Sequence, residues 1–284
     1  MPTFPIVDTH VHLWDPKRLR YPWLDGIAAL NRPFGLADYR KACGAVKVEA
    51  MVFVQCEVEF AQAMEEVEWV LGLARGAPRL KGLVPWAPLE NGTGAEEYLE
   101  NLVRCSPLIK GVRRLIQSET EPGFCLQRGF VQGVRSLARY NLSFDLCISH
   151  RQLADTVGLV RQCPNVTFVL DHIGKPDIKG QVTEPWRSEL RDLADLPNVV
   201  CKVSGLVTEA DVEKWTREDL RPYLDHVLAC FGFDRVLFGS DWPVVTLAAE
   251  YPRWVTALDW ALAGCSAVEK RKIFRDNAVR FYRL

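Results

Sequence analysis

The 284-residue chain lacks the features of several large protein classes. Its 35 basic and 36 acidic side chains give a net charge of -1, so no basic surface favours nucleic acid or an anionic membrane as a partner. No apolar run is long enough to span a bilayer, and the first strand begins too early to leave room for a signal peptide. Its 9 cysteines are scattered singly without a CxxC pair, which indicates reduced thiols rather than a disulfide framework. These absences predict a cytoplasmic protein.

The chain does contain eight short β-rich runs with helical material between them. With 48% hydrophobic and 25% charged residues, it has the composition of a globular protein with a sizeable core. Near-continuous apolar strands that alternate with helices predict a parallel sheet covered by helices. The strand-like runs are 4–10, 50–56, 80–87, 109–115, 142–148, 166–172, 199–205 and 235–241. Eight such units predict an α/β fold, the (β/α)8 TIM barrel, as one domain over residues 1–284.

A doubly wound open sheet is the alternative to the barrel. That fold would place a glycine-rich phosphate-binding turn after the first strand, and the sequence TFPIVDTHVHLW has no glycine there. Amphipathic segments at 61–76, 184–195 and 217–232 supply covering helices, and the last is expected to begin its main helix near Pro222.

Two histidines close the first strand, one residue apart. Side chains alternate between the faces of a strand, so Asp8, His10 and His12 are expected to point the same way. Such a group could bind a metal, act in acid–base chemistry, or form hydrogen-bonded core histidines. The pattern alone leaves all three open.

The barrel prediction brings distant side chains to one place. Active sites of barrels lie at the carboxyl ends of the strands, where His10 and His12 (strand 1), His172 (strand 6) and Asp241 (strand 8) would meet. Structural roles remain open, since His172 could satisfy a buried carbonyl and Asp241 could cap a turn. Asp171 is expected on the face opposite His172, bonded to a neighbouring loop.

Several motifs, taken in order, resemble the lactonase branch of the amidohydrolase superfamily. They are VDTHVH, GVRRLIQ (111–117), LDHIGKP, LPNVVCKVSGLVTEA (196–210), FGSDWP and DNAVRFYRL (276–284), and they extend over essentially the whole chain. The resemblance implies a (β/α)8 barrel that hydrolyses a cyclic ester of a sugar acid or related acid. By motif position, it implies that His10, His12 and Asp241 bind a metal and activate water, and that His172 is the strand-6 histidine.

The fourth strand departs from the pattern of many amidohydrolases, in which a carbamylated lysine or a glutamate bridges two metals. Lys110 lies near the start of this strand, at the wrong end, so at most one divalent ion is expected. Three protein ligands with one open position would suit zinc, with Asp8 orienting an imidazole. Without an ion, the histidines would instead donate hydrogen bonds to the developing oxyanion. Asp241 is the expected general base in either case.

Substrate recognition is expected from side chains beside these strand ends. One of Arg113 and Arg114 must face the barrel interior, where a guanidinium could pair with a carboxylate. The other candidates are Trp14 and Trp242, as surfaces on which a sugar ring could stack or as lids over the core, then Lys175, and more weakly Gln55 and Glu57.

Three functions remain open at this point. The first is a lactonase acting on a small-molecule lactone of a sugar acid. The second is a metal-dependent decarboxylase of the same superfamily, which would need His150 as a further metal ligand. The third is a barrel that binds a sugar acid without turning it over. The sequence leaves a homo-oligomer open.

Overall fold

The computed structural model describes residues 1–284, and its strands follow one another in parallel with helices between them. All eight strands overlap the predicted runs, but several are shorter, and β4 has only two residues. The strands are β1 (Ile6–Val11), β2 (Val48–Val54), β3 (Leu80–Val84), β4 (Gly111–Val112), β5 (Ser143–Leu146), β6 (Phe168–Leu170), β7 (Val199–Val203) and β8 (Val236–Phe238).

Eleven α-helices surround or cap the strands. They are α1 (Leu36–Cys43), α2 (Ala63–Ala74), α3 (Glu96–Cys105), α4 (Arg128–Ser136), α5 (Leu153–Gln162), α6 (Trp186–Ala194), α7 (Leu206–Glu209), α8 (Arg217–Phe231), α9 (Tyr251–Ala261), α10 (Ala267–Arg271) and α11 (Asn277–Tyr282). The prediction that α8 begins near Pro222 is wrong, because the Thr216 side chain caps the helix by accepting from the backbone N–H of Asp219. None of the helices is both long enough and apolar enough to span a bilayer.

The strands close into a barrel through two seams. One sheet has the order β1-β2-β3 and the other β4-β5-β6-β7-β8, with every strand pair parallel. The bridge between Leu83 and Ile109 joins β3 to the start of the β4 segment, and that between Val11 and Trp242 joins β1 to the residues after β8. The second seam is reinforced by His12 N–H, which donates to Trp242 O at 2.8 Å. The (β/α)8 prediction is confirmed.

The interior of the barrel is apolar at its amino end. Small aliphatic side chains from five strands pack together there, and Ala278 and Tyr282 of α11 close this end. The strand residues in this cluster are Val7, Ala50, Val52, Val54, Val84, Val169 and Leu237. Charged and polar side chains occupy the interior above this layer, toward the carboxyl ends of the strands.

Candidate active site

A register shift at the end of β1 decides which side chains face the mouth. Three steps along β1, from Asp8 to Val11, match two steps along β2, so the strand carries a bulge. The bulge leaves Asp8 on the outer side, where its carboxylate accepts hydrogen bonds from the hydroxyls of Tyr39 (2.9 Å) and Tyr251 (3.1 Å). The predictions that Asp8 shares a face with the two histidines and orients an imidazole are therefore wrong.

His10, His12 and Asp241 converge, as predicted, in a tight triangle of ligand atoms. His10 Nε2 lies 3.1 Å from His12 Nε2 and 3.6 Å from Asp241 Oδ1, and His12 Nε2 lies 3.4 Å from Asp241 Oδ1. All three side chains are buried at the carboxyl ends of β1 and β8. Ligands about 2.1 Å from a tetrahedral zinc ion lie about 3.4 Å from each other, so the triangle has the size of one face of such a site.

The contacts on the far sides of the two imidazoles bear on their tautomers. His12 Nδ1 lies 2.8 Å from Val54 O, which can only accept, so Nδ1 carries the proton. His10 Nδ1 lies 3.3 Å from both Asp171 Oδ1, an acceptor, and Lys202 Nζ, a donor, and Arg113 directs an N–H at His10 Nε2 from 3.3 Å. With the His10 proton on Nδ1, toward Asp171, both Nε2 atoms present lone pairs to each other and to the Asp241 carboxylate. In that tautomer the three groups fit a bound cation.

Asp241 is held in an uncommon backbone conformation. Its φ is 60°, and its N–H donates to His10 O at 2.9 Å, which ties the end of β8 to β1. Burial alone would raise the pKa of its carboxyl group, but His172, His12 and His10 hold this pKa well below the ordinary value. The carboxylate is ionised at neutral pH and can accept a proton.

His172 lies beside the triangle, with its ring centroid 4.5 Å from that of His10. Its Nδ1 is 2.9 Å from the hydroxyl of Ser204, just after β7. Gly205 makes this approach possible, since a Cβ there would lie 2.5 Å from His172 Nδ1. Burial, the largest influence, lowers the pKa of His172 to about 4, so the ring is neutral near pH 7.

The prediction that Asp171 bonds a neighbouring loop is wrong, because its side chain lies inside the barrel. The turn after β6 explains the error, because His172 has a φ of 53° and is not extended. Asp171 Oδ1 lies 2.8 Å from Lys202 Nζ, and its Oδ2 lies 3.4 Å from Arg113 Nη1. Burial would raise the pKa of Asp171, but Lys202 and His10 hold this pKa well below its ordinary value.

Lys202 and Asp145 are the largest omission of the sequence interpretation. Lys202, in the middle of β7, is fully buried, with Nζ 2.8 Å from Asp145 Oδ2 of β5. Burial, which here outweighs Lys202, raises the pKa of Asp145 to about 6. The only available signal was a charged residue inside each of two otherwise apolar strands.

A second group of ligand atoms, from His10, Asp171 and His172, does not fit a further cation. It shares His10 with the triangle. Its carboxylate is also already paired with Lys202 at 2.8 Å, so another positive charge would be repelled. The structure thus favours a single ion, and Lys110 lies at the opposite end of the barrel, where its Nζ reaches Arg283 O.

Of the two arginines, Arg113 faces the interior and Arg114 does not. Arg113 Nη2 donates to Gln55 O at 2.6 Å, while its Nη1 contacts both Asp171 and His10. Arg114 instead pairs with Glu90 and Glu119. Arg113 reaches the cavity with these three contacts made inside the protein, while its Nε has no hydrogen-bond partner.

The predicted stacking role does not fit Trp14 or Trp242. Each is 1% exposed, and neither lines the cavity. The indole N–H of Trp14 donates to Leu30 O and Arg32 O, so the ring is a lid over the core. Trp23, which sequence reasoning missed, lines the cavity instead, and its N–H donates to Cys56 O at 2.8 Å.

Two members of the triangle, His12 and Asp241, line a cavity of about 290 Å³ at the mouth of the barrel, and His10 is buried beside them. Lys175 lines it, as predicted, and its Nζ lies 3.9 Å from Glu209 Oε1. The lining residues are His12, Trp23, Cys56, Glu57, Arg113, Leu115, Gln117, Ser118, Cys147, His172, Lys175, Asp241 and Val244. His150 is not among them, and its Nδ1 lies 2.8 Å from Lys175 O. The metal ligand that a decarboxylase would need is therefore missing at this position.

Comparisons with known proteins identify relatives over nearly the whole chain. Two relatives named L-fucono-1,5-lactonase come from Burkholderia multivorans (33% identical over 290 residues, 98% of this chain and 96% of the relative) and Burkholderia ambifaria (28% over 286 residues, 98% and 95%). A crystal structure of an amidohydrolase from Burkholderia multivorans with bound Zn is 32% identical, covers 99% of this chain and 100% of that chain, and has a TM-score of 0.89.

Residues 7–284 match the family model described as amidohydrolase, which confirms the resemblance inferred from the motifs. The chain therefore belongs to the amidohydrolase family and is a hydrolase.

Proposed function

We propose that this protein is a zinc-dependent lactonase that opens a lactone of a sugar acid. The observation that carries the proposal is the triangle of lone pairs from His10, His12 and Asp241, set 3.1–3.6 Å apart at the base of an open cavity. The relatives named lactonases and the relative with bound Zn support the substrate class and the ion.

The chemistry divides between the ion and the chain. When bound by His10, His12 and Asp241, a zinc ion would polarise an ester carbonyl and lower the pKa of a water molecule toward about 7. Asp241 accepts a hydrogen bond from the attacking water and takes its proton, since its carboxyl group is ionised at neutral pH. As the ring C–O bond breaks, the protonated carboxyl group returns this proton to the leaving oxygen, which yields the open-chain hydroxy acid.

His172 supports the same reaction as a hydrogen-bond donor. We assign the Ser204 hydroxyl as donor to Nδ1, which leaves the proton of the neutral ring on Nε2, on the other side of the ring. From the cavity wall this N–H can stabilise the oxyanion that develops on the former carbonyl. The roles of His172 and Asp241 are thus complementary, with one donating and the other accepting.

The proposal is tested by incubating the zinc-loaded protein with a panel of aldonolactones and following acid release with a pH indicator. Saturable acid release from at least one sugar lactone is expected. Release of CO2 from an aromatic acid without lactone opening would support the decarboxylase. Tight binding of a sugar acid without turnover of any lactone would support a binding protein.

A further inference from the structure

Glu57 lines the cavity with its backbone in a conformation that few residues other than glycine adopt. Its φ is 53°, immediately after β2. The side chain of Gln55 holds it there with two hydrogen bonds, because Gln55 Oε1 accepts from Glu57 N–H at 2.5 Å and Gln55 Nε2 donates to Glu57 Oε1 at 2.8 Å. A left-handed conformation is unfavourable for a residue with a side chain, so this clamp holds the carboxylate in a position that the chain would not otherwise favour.

The clamp also ties Glu57 to the ligand triangle. Gln55 is fully buried, and its backbone carbonyl oxygen accepts a hydrogen bond from Arg113 Nη2 at 2.6 Å. Arg113 in turn contacts His10 Nε2 at 3.3 Å. Glu57 Oε1 has the Gln55 amide as its partner, while Oε2 has no hydrogen-bond partner within the protein. Glu57 is therefore a half-buried acceptor that lines the cavity and is held in place by Gln55.

The cations of the cavity wall already face carboxylates of the protein. Arg113 contacts Asp171, His10 Nε2 and Gln55 O, while its Nε has no hydrogen-bond partner. Lys175 faces the carboxylate of Glu209 at 3.9 Å. A substrate carboxylate beside Glu57 would meet a like charge there, and juxtaposed like charges disfavour binding.

Hydroxyl groups, by contrast, fit the same wall. Besides Glu57, the cavity presents the amide of Gln117 and the hydroxyl of Ser118, while Trp23 supplies an apolar surface. An ionised carboxylate is a strong acceptor for the O–H groups of a polyol.

We propose that Glu57, positioned by Gln55, is a specificity-determining residue that accepts hydrogen bonds from substrate hydroxyls and so selects uncharged, polyhydroxylated lactones over lactones that carry a carboxylate. The inference rests on the proposed lactonase function. It assigns a role to a residue outside the catalytic set and defines the part of the substrate that this residue contacts.

The test compares Glu57→Gln with the parent on three δ-lactones of equal ring size: glucono-δ-lactone, the unsubstituted δ-valerolactone, and a δ-lactone with a ring carboxylate. Loss of a hydrogen bond to a charged acceptor predicts that kcat/KM for the polyhydroxylated lactone falls about 10- to 100-fold, mainly through KM. The fall on δ-valerolactone should be at least about tenfold smaller, because that lactone has no hydroxyl to lose. Relative activity on the carboxylate-bearing lactone should rise.

Glu59→Gln is the matched control, since Glu59 is exposed to solvent and lies outside the cavity. Gln55→Leu removes the two hydrogen bonds of the clamp and leaves Glu57 itself unmutated. This variant should reproduce the loss of selectivity, because the carboxylate is no longer held in position. Thermal melting of each variant verifies folding. If Glu57→Gln lost kcat/KM equally on the hydroxylated and the unsubstituted lactone while the parent was active, the role of Glu57 would be overturned. If the parent opened no lactone at all, the proposed function itself would fail.

Discussion

Asp171 Oδ1 lies 3.3 Å from His10 Nδ1, on the side of the imidazole opposite His12. This carboxylate fixes the ring so that its Nε2 lone pair points to the ligand triangle, an arrangement typical of metal-binding histidines. The ligand geometry therefore depends on charges below the cavity as well as on residues that a substrate could contact.

Replacing Asp241 with Asn should nearly abolish lactone hydrolysis. The amide preserves the shape of the side chain but cannot take a proton from water, so kcat should fall by about 10²–10⁴-fold. Initial rates on the best aldonolactone are the measurement. Asp192→Asn, on the exposed surface of α6, serves as the control. If Asp241→Asn kept near-parental turnover, His172 would become the candidate base.

Treatment with a chelator should remove one equivalent of zinc and the activity with it, and added zinc should restore both. Elemental analysis before and after treatment gives the stoichiometry, and Tm should rise with zinc because the ion binds the folded state. His12→Ala should lose the zinc, whereas His150→Ala should retain it, since His150 bonds Lys175 O rather than the triangle. Two tightly held equivalents in the parent would contradict the single-ion site.

Gly205→Ala should damage the site more than the fold. The new Cβ would lie 2.5 Å from His172 Nδ1 and displace that ring, and displacement by about 1 Å can cost about 100-fold in rate. Gly232→Ala is a matched control because Gly232 also has a positive φ (63°) but no atom within 4 Å of the added Cβ. Both variants should lose some stability. Only Gly205→Ala should also lose activity, because only there does the added Cβ displace His172. Equal activities would rule out this steric role.

Lys202→Met should destabilise the protein by about 3–5 kcal/mol, because it leaves two buried carboxylates without their shared cation. Urea unfolding followed by circular dichroism measures the difference. Lys110→Met, at the amino end of the barrel, should change stability by less than about 1 kcal/mol. Adding Asp145→Asn to Lys202→Met should recover part of the loss, and no recovery would argue against the ion pair as its cause.

The buried carboxyl group of Glu66 should make the stability of the fold depend on pH, independently of the ligand triangle. Burial, the largest influence, raises its pKa from 4.5 to about 8, and its Oε1 accepts only from the backbone N–H of Cys56. The folded state holds this proton while the unfolded state releases it, so stability should fall as pH rises from about 4.5 to about 8.

Glu66→Gln should flatten that profile and raise Tm at pH 8, since the amide has no proton to lose. Glu65→Gln, at the neighbouring exposed position, should leave the slope unchanged. Melting curves at several pH values provide the comparison. A parent Tm that rose steadily from pH 5 to 8 while Glu66→Gln did not differ from it would contradict the prediction.

The strand-end residues were predictable from sequence because parallel strands in a closed barrel must end at one mouth. That rule brings His10, His12, His172 and Asp241 together without knowledge of any loop. The family motifs add the chemistry that such a group performs.

Other features depend on local backbone geometry that the alternation of side chains does not encode. The bulge in β1 puts the histidines on a different side from Asp8, and the left-handed turn at His172 brings its ring to the same side as Asp171. In the sequence, Lys202 is a single polar residue in an apolar strand. Its partners Asp145 and Asp171 can be identified only once the pairing of β5, β6 and β7 is known.

The seam between β1 and β8 has a consequence for how the protein is made. His10 and His12 are synthesised before Asp241, which joins them only after β8 has been made and Val11 has paired with Trp242. A nascent chain that still lacks β8 carries the two imidazoles without their carboxylate. Competence to hold an ion at this site therefore arises only with β8, in the same event that seals the ring of strands.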